Sequence, residues 1–263
     1  MRSIPPAVTF DLWHTLVFLE PEEEETYMRR QVEVAVGALA ALEPGGGAAP
    51  AGIAELRSAF ETEYAAAVAA SADGRSTTPA EQFARAARAA GRTPRTGPYL
   101  EALALLVRET RLRVGPETLG ALEELRADGY ALGVVSNTLG EPGRFLRPQL
   151  RDLGLDRFIE SYTFSDELPW TKPAPEIFRT AIARLGSDPS ATVHVGDGWP
   201  DLEGGRRTGL VGTVLFTGLQ RYGRRYRELF QARNVPGPPA ELSAERLADA
   251  VSIVRRLLPP PRK

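Results

Sequence analysis

The 263-residue sequence contains no cysteine and only two histidines. Without Cys there can be no disulfide, no thiolate metal site and no Cys nucleophile, and two His nearly exclude a multi-His metal site. An excess of one charge is also lacking, since 32 Lys and Arg against 34 Asp and Glu leave a net −2. So even a balance gives no electrostatic reason to expect nucleic acid or an anionic membrane as partner. No run approaches the roughly 20 apolar residues needed to span a bilayer. The N-terminal MRSIPPAVTF has one Arg and a short apolar stretch but no small-residue cleavage site. A cytoplasmic protein, monomer or homodimer, with no nucleic-acid and no membrane partner is the expectation. With 43% hydrophobic and 25% charged residues the chain suits a globular domain rather than disorder. Its chemistry has to be carried by carboxylates and other oxygen ligands.

Along the chain a short β-prone run, AVTFDL at 7–12, is followed by helical periodicity from about residue 21 to 110. Pro21 and the run Glu22 to Glu25 suit a helix start, where negative charge meets the dipole. Met28, Val32, Val36 and Leu39 then recur at helical spacing until EPGGGAAP at 43–50. Ile53, Leu56, Phe60 and Tyr64 mark a second helix. Thr78-Pro79-Ala80-Glu81 opens a third as a capping box, and a fourth is expected from about Pro98 to Thr110. The rhythm then changes to alternation. A helix over Pro116 to Asp128 precedes a buried-strand pattern at 130–136. Strand-like YTFS at 162–165 and a helix over Pro175 to Leu185 follow. TVHVG at 192–196, a helix over Asp201 to Thr208 and GTVLF at 212–216 complete the series. Such alternation argues for a parallel sheet covered on both faces, with the helical block inserted after its first strand.

In open parallel sheets ligands bind beyond the carboxyl ends of the strands. The distinctive polar residues sit at those ends: Asp11 after the first strand, Ser136 and Asn137 after the second, Asp197 and Asp201 after the fourth. Lys172 lies in the connection after the third. Converging carboxylates repel one another unless a divalent cation sits between them, and oxygen-only ligation suits Mg²⁺. A cation, a Lys and a hydroxyl around a free carboxylate make a site for an anionic substrate, most naturally phosphate. The carboxylate itself can attack and form an acyl intermediate.

With these residues in place the sequence resembles the haloacid dehalogenase superfamily, from Val8 to about Phe216. FDLWHTL supplies the nucleophile motif with Asp11 and Thr15. GVVSN supplies the strand ending in a hydroxyl, Ser136. WTKPAPEIF supplies the Lys before Pro and a helix, Lys172. VGDGWPD supplies Gly-Asp with a second acid four residues on, Asp197 and Asp201. The resemblance implies an α/β fold, a Rossmann-like core of residues 1–18 and 112–263 with an α-helical cap over 19–111. It implies that Asp11 forms an aspartyl intermediate with a small phosphorylated substrate. Mg²⁺ would be held by Asp11, Asp197 and the backbone carbonyl of Trp13. Asp201 would support the metal waters, and Ser136 and Lys172 would bind the phosphoryl group.

Trp13 departs from the family pattern. Phosphatases of the family carry a second Asp there, which protonates the leaving group and later activates water. An indole is a donor only and does not give up its proton near neutral pH. Three readings follow. Another group replaces the acid, His14 or a cap residue such as Glu22. Or the leaving group needs no acid, as in an acyl phosphate. Or the bond cleaved is not a phosphate ester, as in dehalogenase-type or phosphonatase-type hydrolysis. Dehalogenases of the family place an aromatic residue at this position but lack the Gly196-Asp197 pair, which favours the phosphatase. A homologue that binds phosphate without turnover is the contrasting class. His194, inside a strand, is expected to be a satisfied core histidine. Glu22 to Glu25 are expected to be a solvated helix start, Arg221 to Arg233 a basic amphipathic helix, and the LLPPPRK tail frayed. Trp170 and Trp199 either line the site or pack the cap onto the core.

Overall fold

The computed structural model describes residues 4–44, 51–222 and 242–261. Six strands form one parallel sheet: β1 (Ala7–Phe10), β4 (Ala131–Ser136), β5 (Ser161–Phe164), β6 (Thr192–Gly196), β7 (Gly212–Phe216) and β8 (Ser243–Ala244). Their order is β5-β4-β1-β6-β7-β8, so the sheet grows outward from β1 in both directions. This is the doubly wound Rossmann-like order, with its switch point beside β1. β1, β4 and β6 are buried at every residue. Strands covered on both faces read as the continuous apolar runs seen in the sequence.

Two further short strands, β2 (Val17–Phe18) and β3 (Arg113–Val114), pair antiparallel, Val17 opposite Val114. Between them lie α1 (Pro21–Ala40), α2 (Ile53–Ala72), α3 (Pro79–Ala89) and α4 (Thr96–Glu109). The ribbon holds the exit and return of the inserted helices side by side. Arg113 forks onto Glu23 across it, its Nη2 donating to Oε1 at 3.0 Å. The expected capping box on α3 is present: Glu81 N donates to Thr78 Oγ1 at 3.2 Å, and Thr78 N to Glu81 Oε2 at 2.8 Å. Phe83 and Tyr99 stack with centroids 4.4 Å apart, fastening α3 to α4. One hydrophobic cluster runs from Val8 and Phe10 under the sheet to Leu39, Phe60 and Leu103 in the inserted helices. Among the described residues no helix is long and apolar enough to cross a membrane.

The remaining helices are α5 (Thr118–Ala127), α6 (Gly143–Asp152), α7 (Pro175–Arg184), α8 (Trp199–Thr208) and α9 (Leu247–Leu257). Several local expectations change. α8 begins at Trp199, because the Asp201 carboxylate reaches back to accept from Gly198 N at 3.1 Å and so extends the helix start. On α1 the buried face is Glu24, Tyr27, Ala35, Val36 and Leu39, with Met28 and Val32 only partly covered. The first two residues of the LLPPPRK tail are held, Leu257 as the last residue of α9 and Leu258 O by a bond from Tyr130 OH, while 259–261 are exposed. Residues 45–50 and 223–233, which carry much of the expected glycine-rich loop and basic helix, lie outside the described residues.

Candidate active site

β1 delivers Asp11 to the rim of the sheet, its N–H still donating to Val195 O of β6 at 2.8 Å. The chain then turns sharply. Leu16 N and Val17 N both donate to Leu12 O, and His14 N donates to Val17 O at 2.8 Å. The turn places His14 at φ 58°, the left-handed region where a side chain is strained and Gly is at home. Its ring is held in return, with His14 Nε2 2.8 Å from Glu24 Oε1 of α1. Both side chains are buried. This corrects the expectation that Glu22 to Glu25 are all solvated: Glu22 is exposed while Glu24 turns inward.

Lys172 lies at the centre of the charges. Its Nζ donates to Asp11 Oδ1 at 2.6 Å and to Asp201 Oδ1 at 2.7 Å, with only 3% of the residue exposed. Asn137 holds the Lys172 backbone from both sides. Its Nδ2 donates to Lys172 O at 3.0 Å, and its Oδ1 accepts from Lys172 N at 2.8 Å. Asn137 therefore positions the Lys loop. Asp201 is held by His194, whose Nε2 is 2.9 Å from Asp201 Oδ1 while its Nδ1 lies 2.9 Å from Thr9 Oγ1. His194 is the satisfied core histidine expected, and it also orients a site carboxylate. Gly196 makes room for that carboxylate, since a Cβ there would overlap the Asp201 carboxyl.

Asp11, Asp197 and Asp201 each offer a carboxylate oxygen within 4.8 Å of the others. Burial raises the Asp11 pKa, Lys172 opposes the rise, and the charge of Asp201 adds to it. Burial and the charge of Asp11 push Asp197 up to about 7, against the pull of His14. Burial acts upward on Asp201 as well, but Lys172 and His194 outweigh it and hold this carboxyl below its ordinary value. Burial disfavours the Lys172 ammonium, yet Asp11 and Asp201 outweigh that and raise its pKa. Burial likewise opposes charging of His14, and the bond to Glu24 and the field of Asp197 overcome it. Repelling carboxylates with an oxygen-only donor set fit a hard divalent cation such as Mg²⁺.

Thr15 Oγ1, Ser136 Oγ and Thr171 Oγ1 are buried without a hydrogen-bond partner. Orphaned buried hydroxyls are costly and call for a partner that a ligand can supply. Thr15 and Ser136 were expected at the site. Thr171 was not singled out, although it immediately precedes Lys172. Trp13 is half-buried and stacks with Tyr27 of α1, centroids 6.5 Å apart and planes at 28°. It lies beside Glu141, a buried acid on the loop after β4. Burial pushes Glu141 up to about 7, against the bonds it accepts from Gln31 and Tyr27. Trp199 is half-buried at the start of α8 and Trp170 is 41% exposed. Trp170 bridges to Arg75 in the loop between α2 and α3.

The family model for haloacid dehalogenase-like hydrolases matches residues 5–209, and the chain belongs to this family. The pyrophosphatase PpaX of Bacillus velezensis is 35% identical over 88 residues, 34% of this chain and 39% of that protein. A plasmid-borne phosphoglycolate phosphatase of Cupriavidus necator is 32% identical over 157 residues, 59% of this chain and 61% of that protein. The matches thus span less than two thirds of those relatives. A crystal structure of a phosphatase of this family from Thermococcus onnurineus superposes with a TM-score of 0.59 at 22% identity. It covers 98% of this chain and 100% of that one. At that identity the likeness speaks for the fold.

Proposed function

We propose that the protein hydrolyses a small phosphorylated molecule, with Asp11 as nucleophile and Mg²⁺ as cofactor. The carrying observation is Lys172 Nζ bound at 2.6 Å to Asp11 beside two further site carboxylates and the orphaned hydroxyl of Ser136. A carboxylate with an ammonium, hydroxyl donors and a cation-binding acid pair around it suits phosphoryl transfer. The Asp11 carboxylate attacks phosphorus and the ester oxygen leaves, giving an aspartyl phosphate that water then cleaves to free phosphate and Asp11. Lys172 and Ser136 hold the phosphoryl oxygens. Asp11, Asp197 and the Trp13 carbonyl would bind Mg²⁺, with Asp201 in support. Bound there, the cation would neutralise charge on the phosphoryl group.

The second Asp of the family pattern is absent at Trp13, and His14 is the group we assign to proton transfer in its place. His14 is next in sequence, is fixed through Nε2 by Glu24 and lies in the field of Asp197. The helices over residues 19–111 act as the cap that covers the site and selects the substrate. The retained Asp197 favours this reading over metal-free dehalogenation.

The test is phosphate release from a panel of alkyl and acyl phosphates with and without Mg²⁺, with Asp11→Asn as control. Mg²⁺-dependent release that vanishes in Asp11→Asn, with the fold retained by circular dichroism, is the expected result. Full activity in that variant would remove the mechanism. Release from acyl phosphates alone would mean that His14 does not serve as the acid.

A further inference from the structure

Each buried carboxylate among the described residues meets a cation or a histidine, with one exception. Asp11 and Asp201 meet Lys172, Glu24 meets His14, and Glu203 meets Arg206 and Arg207. Glu141, only 6% exposed, meets neutral donors instead. The Tyr27 hydroxyl donates to its Oε2 at 3.2 Å and Gln31 Nε2 donates to the same oxygen at 2.9 Å, with the Trp13 indole beside them. Burying a carboxylate without a counter-charge is costly. A carboxylate has about four acceptor sites, so two donors on one oxygen leave capacity for others.

Its place in the fold gives this unmatched charge a use. Glu141 follows Ser136 on the loop leaving β4, and two of its donors come from α1. Trp13, beside them, stands two residues beyond Asp11. One oxygen of Asp11 is taken by Lys172, which Asp201 and His194 hold from behind. The organic part of a phosphate ester bound at Asp11 therefore extends toward α1, where Trp13, Tyr27 and Glu141 meet. Trp13 and Tyr27 present stacked aromatic rings there, and aromatic faces attract cations.

We propose that Glu141 is a specificity-determining residue that receives an ammonium group on the leaving part of the substrate, so that the preferred substrates are amine-bearing phosphate esters. The assignment rests on the phosphatase reading above. The bland role, a hydrogen-bonded latch between α1 and the β4 loop, predicts no preference for a charged substrate.

Two matched pairs separate these: 2-aminoethyl phosphate with ethyl phosphate, and glucosamine 6-phosphate with glucose 6-phosphate. In the native enzyme kcat/KM for the ammonium member of at least one pair should exceed its neutral partner by about tenfold or more, as a charge-assisted hydrogen bond warrants. In Glu141→Gln, which keeps the shape and loses the charge, the ratio should fall to within about twofold of one. General damage lowers both members alike and leaves the ratio unchanged. Turnover without discrimination in either pair, or a preference that survives in Glu141→Gln, overturns the inference and leaves the phosphatase standing. If neither phosphomonoesters nor acyl phosphates are hydrolysed, the phosphatase reading fails by itself. Calorimetric titration of the Asp11→Asn protein with the same pairs then decides. Tighter binding of the ammonium member, lost on adding Glu141→Gln, supports the site, and equal affinities overturn it.

Discussion

Replacing Lys172 by Met retains most of the buried stem and deletes the ammonium that bridges Asp11 and Asp201 at 2.6 and 2.7 Å. The three residues are at most 7% exposed, so water cannot take over the lost role. Removing one partner of a buried ion pair costs about 3–5 kcal/mol, because the other charge stays behind. Two features place this case near the lower end. Asp201 keeps His194 at 2.9 Å and Gly198 N at 3.1 Å, and Asp11, already raised by burial, can take a proton. Urea unfolding at pH 7 without divalent metal should therefore show a loss of about 3 kcal/mol. Lys172 adds no pH dependence of its own below its ordinary value of 10.5. Its folded pKa is raised, so its contribution is complete below that point and fades only as pH climbs through the raised value. Mg²⁺ brings positive charge to the same carboxylates and should stabilise Lys172→Met more than the native protein. A loss below about 1 kcal/mol, or Mg²⁺ favouring the native protein, would refute the charge balance argued here.

Two further perturbations probe the frame. Gly74, at φ 78° in the loop between α2 and α3, accepts from Thr171 N at 3.0 Å, and a Cβ there would stand 2.8 Å from Ala174 Cβ. Gly74→Val should cost about 1–3 kcal/mol in urea unfolding, and a change below about 0.5 kcal/mol would mean that the loop is not seated against the Lys172 segment. At Glu203 the bonds from Arg206, then Arg207, outweigh burial and hold its pKa down at about 2, against an ordinary 4.5. A depressed pKa contributes stability above 4.5 that is lost as pH falls toward 2, so the Tm gap between native and Glu203→Gln should be widest near neutral pH and narrow by pH 3. A gap that widens on acidification would reverse the sign and remove the assignment.

What the sequence disclosed of the fold follows from how each element is buried. β1, β4 and β6 could be read because strands buried at every residue favour largely apolar runs, and β7 because GTVLF carries Val214 and Phe216 buried on one face. β2, β3 and β8 have two residues each and leave no pattern to read. α6 was missed because GRFLRPQLRD carries Pro148 within the helix, where a Pro ordinarily signals a break. In α9 the signal was there: Leu247, Ala250, Val251 and Val254 are buried at the spacing of one helical face.

The site divides the same way. Asp11, Ser136, Lys172, Asp197 and Asp201 were legible because strand ends in a parallel sheet converge. Glu24, Tyr27 and Gln31 were not, although their spacing of three and four puts them on one stripe of α1. In the sequence Glu24 is one of four adjacent acids, and only the helix phase separates the member that reaches His14 from those in solvent. The least legible feature is a closed circuit. Thr9 meets His194, His194 meets Asp201, Asp201 meets Lys172, and Lys172 meets Asp11, two residues from where the circuit began. Its members come from β1, β6, α8 and the loop before α7, so no local pattern encodes it. Its effect is mechanical as well as electrostatic. Because both ends are anchored in β1, the Asp11 carboxylate is tied through buried partners to the strand that carries it. Under the mechanism proposed above, a nucleophile fixed in this way does not have to be oriented when the substrate arrives, and that cost is met in folding rather than in the reaction.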